Sequence, residues 1–394
     1  MIRPFLQVVG VIACAMPLAA QADEYSFGTD VSARLGYSTN PYSVSGTNTD
    51  SASAQLEVRP AFRLTRERSV LMLSGMASVE QYFDHYSRLD NYEARADYRL
   101  RPSERLNTHL NLAYTSSVIG SYQSAFQAGG NGAEGEDPSI VPGTDIGLFG
   151  TRSRRQSLNL GGDLSLSLSE RDRLSGSAFF LDSSYSGISG IGDYKAYGAT
   201  LAYARKLSSY SEVGVQLTDA QYDYAIAGNN SHILSPQVTI ATQFDSRWTA
   251  SGAVGASFID REGQGETVTY SGNLSLCRKD ARGTLCLTGR RSVLPTGTSG
   301  TQIETGGGAT YRYRLSEYGA LGLAADYRTN RNSQAGGTTA NEYVRGSVSY
   351  DHQLQQRVRL TATAFYRDIF GGAFARKADA GGQLGVAMRF GDLR

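Results

Sequence analysis

The sequence of 394 residues predicts an all-β chain that folds into a closed antiparallel transmembrane β-barrel of about 18 strands. Three observations lead to this prediction. Apolar and polar residues alternate in short runs from Tyr25 to Phe390, the connections between these runs are alternately short and long, and the first residues have the composition of an export signal. A period of two residues is typical of a strand that has one apolar and one polar face.

The N-terminal residues have the features of a secretory signal peptide. Arg3 precedes an apolar run from Phe5 to Ala20, which is too short to span a bilayer as a helix. Small residues then form an Ala-x-Ala cleavage site. The sequence therefore predicts a signal peptide (1–22) followed by a single outer-membrane β-barrel domain (23–394).

A second cleavage pattern lies inside the same apolar run. Val11-Ile12-Ala13-Cys14 resembles the cleavage box of bacterial lipoproteins, which would leave Cys14 as a lipidated first residue. The apolar run continues beyond Cys14, and the Ala-x-Ala site lies where such sites usually do. We therefore favour cleavage after residue 22.

The charge and hydropathy of the mature chain exclude two classes of protein. The formal net charge is +1, and removal of Arg3 leaves equal numbers of basic and acidic residues. No global charge therefore argues for a nucleic-acid partner. No later stretch approaches 18 uninterrupted apolar residues, so we expect no membrane-spanning helix.

Two of the runs show the strand pattern clearly. In LEVRPAFRL (56–64), Leu56 and Val58 share one face and Glu57 lies on the other. In LNLGGDLSLSL (158–168), leucine occupies every second position except Gly162. A soluble β-sandwich alternates in the same way, so the connections between the strands decide between the two architectures.

Connections of two kinds alternate along the chain. Eight are short and charged or polar, and the others are longer and rich in Gly, Asn and Ser, including 40–50 and 121–150. Eight short turns and nine longer loops give 18 strands and place both termini at the short-turn end, which we expect to face the periplasm. The short turns are 65–69, 101–105, 169–173, 207–211, 244–248, 279–283, 315–319 and 354–358.

The only two cysteines outside the first twenty residues flank one of these turns, in NLSLCRKDARGTLCLTG (273–289). The leucines of both strands must face lipid together, because a slip of one residue would turn one set inward. A type I turn at residues 280–283 satisfies this condition and places Cys277 opposite Cys286 on the water-facing side, with Cα atoms about 4.5 Å apart if the pair is not hydrogen-bonded. Export favours a disulfide between them, and two free thiols in the wall remain the alternative.

Arginines form one sector of the predicted lumen. When apolar side chains are taken as outward, eleven arginines on strands 2, 4, 14, 16, 17 and 18 point inward, whereas strands 7 to 11 present mostly Ser, Thr, Gly, Gln and Ala. The arginines either form ion pairs with carboxylates such as Glu57, Glu93 and Asp97, or create a field that attracts anionic solutes. These arginines are Arg59, Arg63, Arg95, Arg99, Arg312, Arg314, Arg345, Arg357, Arg359, Arg367 and Arg389.

Four tyrosines near the outer ends of the strands also have two interpretations. A girdle of aromatic side chains in the membrane interface is the favoured one. Stacking against sugar rings is the other. The four are Tyr82, Tyr194, Tyr222 and Tyr343.

The sequence has no signature of an enzyme, a metal site or a cofactor site. None of the four histidines belongs to an HExxH motif, and no GxSxG motif occurs. A hydrolase at the barrel rim would need His85 or His232 beside a nucleophile. Asp84-His85 is the place to search, although a solvated polar pair is the favoured interpretation. We therefore expect a protein that is not an enzyme and has no cofactor.

Several motifs are similar to those of a known family. They are the opening DVSARLGYSTNPY (30–42), the L-S-E and R-P-S-E turns, and the closing GVAMRF (385–390). Together they resemble the outer-membrane β-barrel porin family found with exopolysaccharide and capsule synthesis clusters. QLGVAMRF also resembles the C-terminal assembly signal of outer-membrane barrels, although four residues follow Phe390.

The resemblance implies an outer-membrane channel that exports an exopolysaccharide through the arginine-lined lumen. Its partners would be outer-membrane lipid, the polysaccharide and a periplasmic polysaccharide co-polymerase. The alternative is a general or solute-selective diffusion porin. In that case the loop at 121–150 would fold inward and form a constriction.

Overall fold

The computed structural model describes residues 24–120, 148–187, 192–226, 228–263, 265–297, 300–334, 337–371 and 376–392. They form 18 antiparallel strands, as the sequence predicts. The strands are β1 Glu24–Ser38, β2 Ser51–Arg66, β3 Ser69–Tyr82, β4 Leu89–Ser103, β5 Leu106–Val118, β6 Arg154–Ser167, β7 Asp172–Ser186, β8 Tyr194–Lys206, β9 Ser211–Tyr224, β10 Ser231–Gln243, β11 Trp248–Arg261, β12 Gly265–Lys279, β13 Gly283–Thr296, β14 Gly300–Arg314, β15 Gly319–Gln334, β16 Gly337–Gln355, β17 Val358–Gly371 and β18 Asp379–Gly391.

The sheet closes into a barrel. Each strand pairs with its neighbour in the chain, and β1 also pairs with β18, with Gly28 opposite Gly391. Closure satisfies the backbone groups that an open sheet would leave at its two edges. Among the described residues, no helix has the length and apolar character needed to cross a membrane.

The two faces of the wall differ as the alternation predicts. Large apolar side chains are exposed on the outside, including Leu158, Leu160 and Leu164 at 40%, 51% and 46% of their surface. The paired inward positions carry polar residues, for example Thr115 opposite Ser157. An apolar exterior around a polar interior is the arrangement of a transmembrane barrel and the reverse of a soluble one.

The short turns all lie at one end of the barrel, which we call the turn end. All eight are at the predicted positions. In the cysteine hairpin, Lys279 pairs with Thr284 and the backbone N–H of Asp280 donates to the carbonyl of Gly283 at 2.7 Å. The first residues of β1 and the last of β18 lie at this end, and its orientation toward the periplasm stays a prediction.

The opposite end, which we call the loop end, differs from the expectation of nine long loops. β5 ends at Val118 and β6 begins only at Arg154, but β15 and β16 are separated by residues 335–336 alone. The strands are longer here than the sequence pattern indicates, because backbone pairing between β15 and β16 continues through polar residues as far as Gln334 and Gly337. The predicted signal peptide (1–22), the Cys14 alternative and residues 121–147 of the loop predicted at 121–150 lie outside the described residues.

Apolar side chains also pack inside the loop end of the barrel. One cluster includes Ala196, Tyr222 and Ile259, which are on inward positions of β8, β9 and β11. A second joins Leu148 and Phe149 of the long loop to the wall, and a third includes Tyr42 of the first loop. The interior is therefore open and polar toward the turn end, and it is packed with apolar side chains toward the loop end.

Candidate functional site

The predicted lumen arginines share one face of the wall but differ in depth. Ten of the eleven lie on strands at inward positions, as strand pairs such as Arg59 with Asp30 and Arg345 with Arg367 indicate. Arg357 is the exception, because β16 ends at Gln355 and β17 begins at Val358, so Arg357 belongs to the turn between them. The sequence analysis counted it among the strand arginines, although it also lies within the predicted turn at 354–358.

Five of these side chains form a set near the turn end, which we call the turn-end arginines. Each is exposed to the solvent. Among the described residues, none of the five has a carboxylate within 4.0 Å. They are Arg63, Arg99, Arg312, Arg314 and Arg359. Because β18 closes against β1, they occupy one half of the wall, from β14 through the closure to β4.

Three other arginines are paired with acidic residues, as the structural interpretation predicted. Arg59 Nε lies 2.7 Å from Glu57 Oε1, and Arg95 Nε lies 3.8 Å from Glu93 Oε1. Arg389 makes a two-pronged contact with Asp30, at 2.8 and 3.1 Å. Part of the sector is therefore an ion-pair ladder.

Arg367 is a buried structural anchor and not a solvent-facing member of the sector. Its side chain is 2% exposed, and its Nε donates to Asp379 Oδ2 at 2.9 Å, a carboxylate that is itself 0% exposed. The two terminal nitrogens donate to the carbonyls of Gly120, at 2.9 Å, and Pro41. One guanidinium thus ties the long loop, the first loop and the start of β18 together.

Asp379 extends the same anchor, which we call the latch. Its Oδ1 accepts the backbone N–H of Asn40 at 2.9 Å and the hydroxyl of Ser38 at 2.6 Å. The Asn40 side chain in turn donates to the carbonyls of Val44 and Lys377 at 2.9 and 2.8 Å. Both members of the buried ion pair are therefore surrounded by hydrogen bonds, the condition under which such a pair is tolerated.

Arg345 is also buried, at 6% exposure. It lies opposite Arg367 on one side and Asp326 on the other. Asp326 accepts from Arg328 Nε at 3.1 Å. Arg345, Arg367 and Arg328 thus belong to the packed loop-end interior and not to the solvent-exposed part of the sector.

The four tyrosines fit neither of the two interpretations. Tyr82, Tyr194, Tyr222 and Tyr343 are on inward positions and between 2% and 6% exposed. They contact neither lipid nor the open lumen. The rule that apolar side chains face outward fails here because protein, and not water, surrounds the inward face at the loop end.

The first loop contributes an aromatic group of its own. Tyr42 packs against Tyr82 and Tyr86, with ring centroids 5.7 and 5.1 Å away, and the guanidinium of Arg152 lies 5.1 Å from its ring centre. Burial raises the pKa of Tyr42 to about 12, so its contact with Arg152 is a cation–π interaction of the neutral ring.

Leu148 and Phe149 pack inside the loop end of the barrel. Phe149 packs edge-on against Tyr343 of β16, with centroids 5.7 Å apart, and Tyr185 of β7 packs against the same cluster. β7 and β16 are nine strands apart in a ring of 18 and therefore lie on opposite walls. Gly150, at φ +87°, allows the close approach to the first loop, because a Cβ there would lie 3.0 Å from the Ser43 carbonyl.

Sequence reasoning missed several lumen arginines that its own rule identifies, and Arg34 and Arg328 are two examples. Arg34 follows outward Ala33 in β1 and lies 3.4 Å from Glu57, and Arg328 follows outward Tyr327 in β15. The signal for both was the alternation of their strands.

The two histidines considered for a hydrolase site, His85 and His232, lie at the loop end of the barrel. His85 lies in the loop after β3 with φ +61°, and among the described residues no hydroxyl or thiol is hydrogen-bonded to its ring. His232 contacts Asp219 at 2.9 Å on the outer face. Within the described ranges, no group of three His, Cys, Asp or Glu side chains is arranged to hold a metal ion.

The disulfide is present with the predicted register. Cys277 is bonded to Cys286, with Cα atoms 4.1 Å apart, on an inward position between Thr249 of β11 and Thr310 of β14. The prediction for the hairpin is confirmed, including the pairing of Leu276 with Leu287 on the lipid side.

Comparison with known proteins identifies the architecture through structure alone. No family model and no curated protein matches the sequence. The fold is similar to that of OccK2 (OpdF) from Pseudomonas aeruginosa, with 10% sequence identity, 94% of this chain and 99% of that chain covered, and a TM-score of 0.53. The fold is that of an outer-membrane porin.

Two further solved structures have the same likeness. OccK2 in complex with glucuronate matches with 9% identity, 94% and 99% coverage and a TM-score of 0.51. A BenF-like porin from Pseudomonas fluorescens Pf-5 also matches with 9% identity, 94% and 99% coverage and a TM-score of 0.51. At these identities the likeness concerns the fold.

Proposed function

We propose that the protein is an outer-membrane channel of a Gram-negative bacterium that passes small anionic solutes, with its turn end in the periplasm. The observation that carries this proposal is the set of turn-end arginines. They are exposed on one half of the lumen wall, and no carboxylate among the described residues lies within 4.0 Å of them. Their charge is thus available to a solute.

The chemistry of these side chains favours carboxylates as ligands. A guanidinium presents several donors in a planar fork that matches the two oxygens of a carboxylate. Exposure to water keeps each contact weak, which is what a conducting site requires, because a solute must leave as readily as it enters. OccK2, whose fold is similar, has been crystallised with glucuronate, a small sugar acid. We take glucuronate as the first solute to test.

The packed loop end supports a small solute over a polymer. Leu148 and Phe149 of the long loop pack with Tyr343 and Ile369 inside the loop end, and Arg367 donates to the carbonyl of Gly120 at the start of the same loop. A glycan chain in transit would need a bore that these packed side chains do not narrow. Export of an exopolysaccharide therefore remains a prediction with weaker support, and so does a periplasmic co-polymerase partner.

The test compares two triple variants in planar bilayers. The lumen variant carries Arg312→Gln, Arg314→Gln and Arg359→Gln, and the control carries Arg105→Gln, Arg171→Gln and Arg282→Gln, which removes the same charge from exposed turns at the same end. The reversal potential in a KCl gradient gives the anion preference. Block of the current by added glucuronate gives solute binding.

We expect the lumen variant to lose most of the anion preference and the glucuronate block, and the control to keep both. Equal behaviour of the two variants would contradict the proposal. Polysaccharide export would be supported instead if deletion of the gene abolished the secreted polymer and left the uptake of sugar acids unchanged.

A further inference from the structure

His109 lies in the lumen wall between two carboxylates. It occupies an inward position on β5, and its two ring nitrogens contact different neighbouring strands. Nε2 is 3.3 Å from Asp97 Oδ1 of β4, and Nδ1 is 3.0 Å from Asp163 Oδ1 of β6. All three side chains are partly exposed to the lumen, and Asp163 is the most exposed, at 55%.

The number of hydrogen bonds that the ring donates depends on its protonation. An ionised carboxylate only accepts hydrogen bonds, so each contact requires an N–H on the imidazole. A neutral ring has one N–H, and only the doubly protonated ring has two. Both contacts are therefore hydrogen bonds at the same time only when the ring is the imidazolium ion, and a neutral ring leaves one carboxylate facing a lone pair.

Other charged groups near the site come from β4. Arg99 lies opposite His109 in the β4–β5 pair and is one of the turn-end arginines, and Arg95 lies one inward position beyond Asp97. On β5 the neighbouring inward residues are Asn107 and Asn111. The positions opposite Asp97 on β3 and Asp163 on β7 are Met72 and Ser177, which do not titrate.

We propose that His109 makes the charge selectivity of the channel depend on pH. With the ring protonated, Asp97, Asp163, His109 and Arg99 carry no net charge as a group, so the anion preference of the arginine sector is undiminished. With the ring neutral, the group carries one negative charge beside Arg99. Histidine is the side chain that changes charge between about pH 5 and pH 8, so the anion preference falls across that range. This inference rests on the proposed function, since it concerns ion flow through the same lumen.

The experiment measures the ratio of anion to cation permeability of the full chain in planar bilayers at about pH 5 and about pH 8. The chain has four histidines. One variant carries His109→Asn, and the matched control carries His85→Asn, His232→Asn and His352→Asn, which leaves His109 as the sole imidazole. A third variant, His109→Lys, holds a positive charge at both pH values.

We expect the parent and the sole-histidine control to have a higher anion preference at the lower pH. His109→Asn should lose this difference, and His109→Lys should keep the low-pH preference at both values. A pH dependence that persists in His109→Asn, or that disappears in the sole-histidine control, overturns the inference. So does a parent channel that conducts with the same selectivity at both pH values, whereas a parent without any conductance would instead refute the proposed function. Unheated gel migration of each variant reports whether the barrel has assembled.

Discussion

The turn end and the loop end use the same residue type for opposite purposes. Arg312 and Arg359 at the turn end are exposed to lumen water, whereas Arg367 at the loop end is buried against a carboxylate and two loop carbonyls. All three are on inward positions. The comparison shows that the strand face determines whether an arginine points inward. Whether water or packed protein surrounds the side chain at that height of the barrel determines its role.

The physical difference is hydration. Water screens and solvates an exposed guanidinium, so its removal costs the fold little and changes mainly the field in the lumen. A buried guanidinium has lost that hydration and must be compensated by partners. Substitutions at the two ends should therefore have different effects. Those at the loop end should lower stability, and those at the turn end should change ion selectivity.

The largest expected effect is the loss of stability when the latch is broken. Arg367→Gln should lower the free energy of unfolding by about 3–5 kcal/mol, because it leaves the buried carboxylate of Asp379 without its ion pair. Urea-induced unfolding of the barrel in lipid, followed by tryptophan fluorescence, measures this loss. Arg312→Gln is the matched control and should stay within about 0.5 kcal/mol of the parent.

A double variant shows whether the charge or the packing of the latch matters. Arg367→Met with Asp379→Leu removes both charges, so it should cost less than Arg367→Gln alone. Equal stability of Arg367→Gln and Arg312→Gln would mean that the two ends do not differ as described.

The second largest expected effect concerns the disulfide at the turn end, which has a structural role. Replacement of Cys277 and Cys286 by serine should lower the free energy of unfolding by about 2–3 kcal/mol on the chain-entropy model, because the unfolded chain loses a short closed loop. Conductance and anion preference should not change, since the bond carries no charge. The parent treated with a reductant is the control. A change in selectivity in the variant would show that the disulfide positions the neighbouring lumen wall.

The smallest expected effect on stability locates the boundary between the hydrated turn end and the packed loop end. Arg389 and Asp30 form an exposed ion pair where β18 closes against β1. Arg389→Gln should cost about 0.2–1 kcal/mol, the range for exposed pairs, and Asp30→Asn about the same. Asp30→Asn should also raise the anion preference in bilayer recordings, because it frees Arg389. If Arg389→Gln lowered stability as much as Arg367→Gln, the packed part of the lumen would extend nearer to the turn end than described.

The alternation of residues was sufficient to predict the wall of this barrel. It predicted 18 strands, all eight short turns, the outward leucines and the inward position of ten arginines. It also predicted the disulfide, because lipid on one face permits only the register that pairs Leu276 with Leu287 and hence Cys277 with Cys286. A period of two residues is local information, and the preference for lipid or water acts on each strand separately.

Only the tertiary structure decided what fills the lumen. The path of the first and long loops brings Pro41 and Gly120 to Arg367, and Phe149 to Tyr343, across distances in sequence that no local pattern encodes. The alternation shows that Tyr222 and Arg367 point inward. The sequence interpretation then assumed that every inward side chain contacts water. Where loops replace that water, an inward tyrosine becomes core and an inward arginine becomes an anchor, because burial depends on what packs against a side chain and not on its own strand.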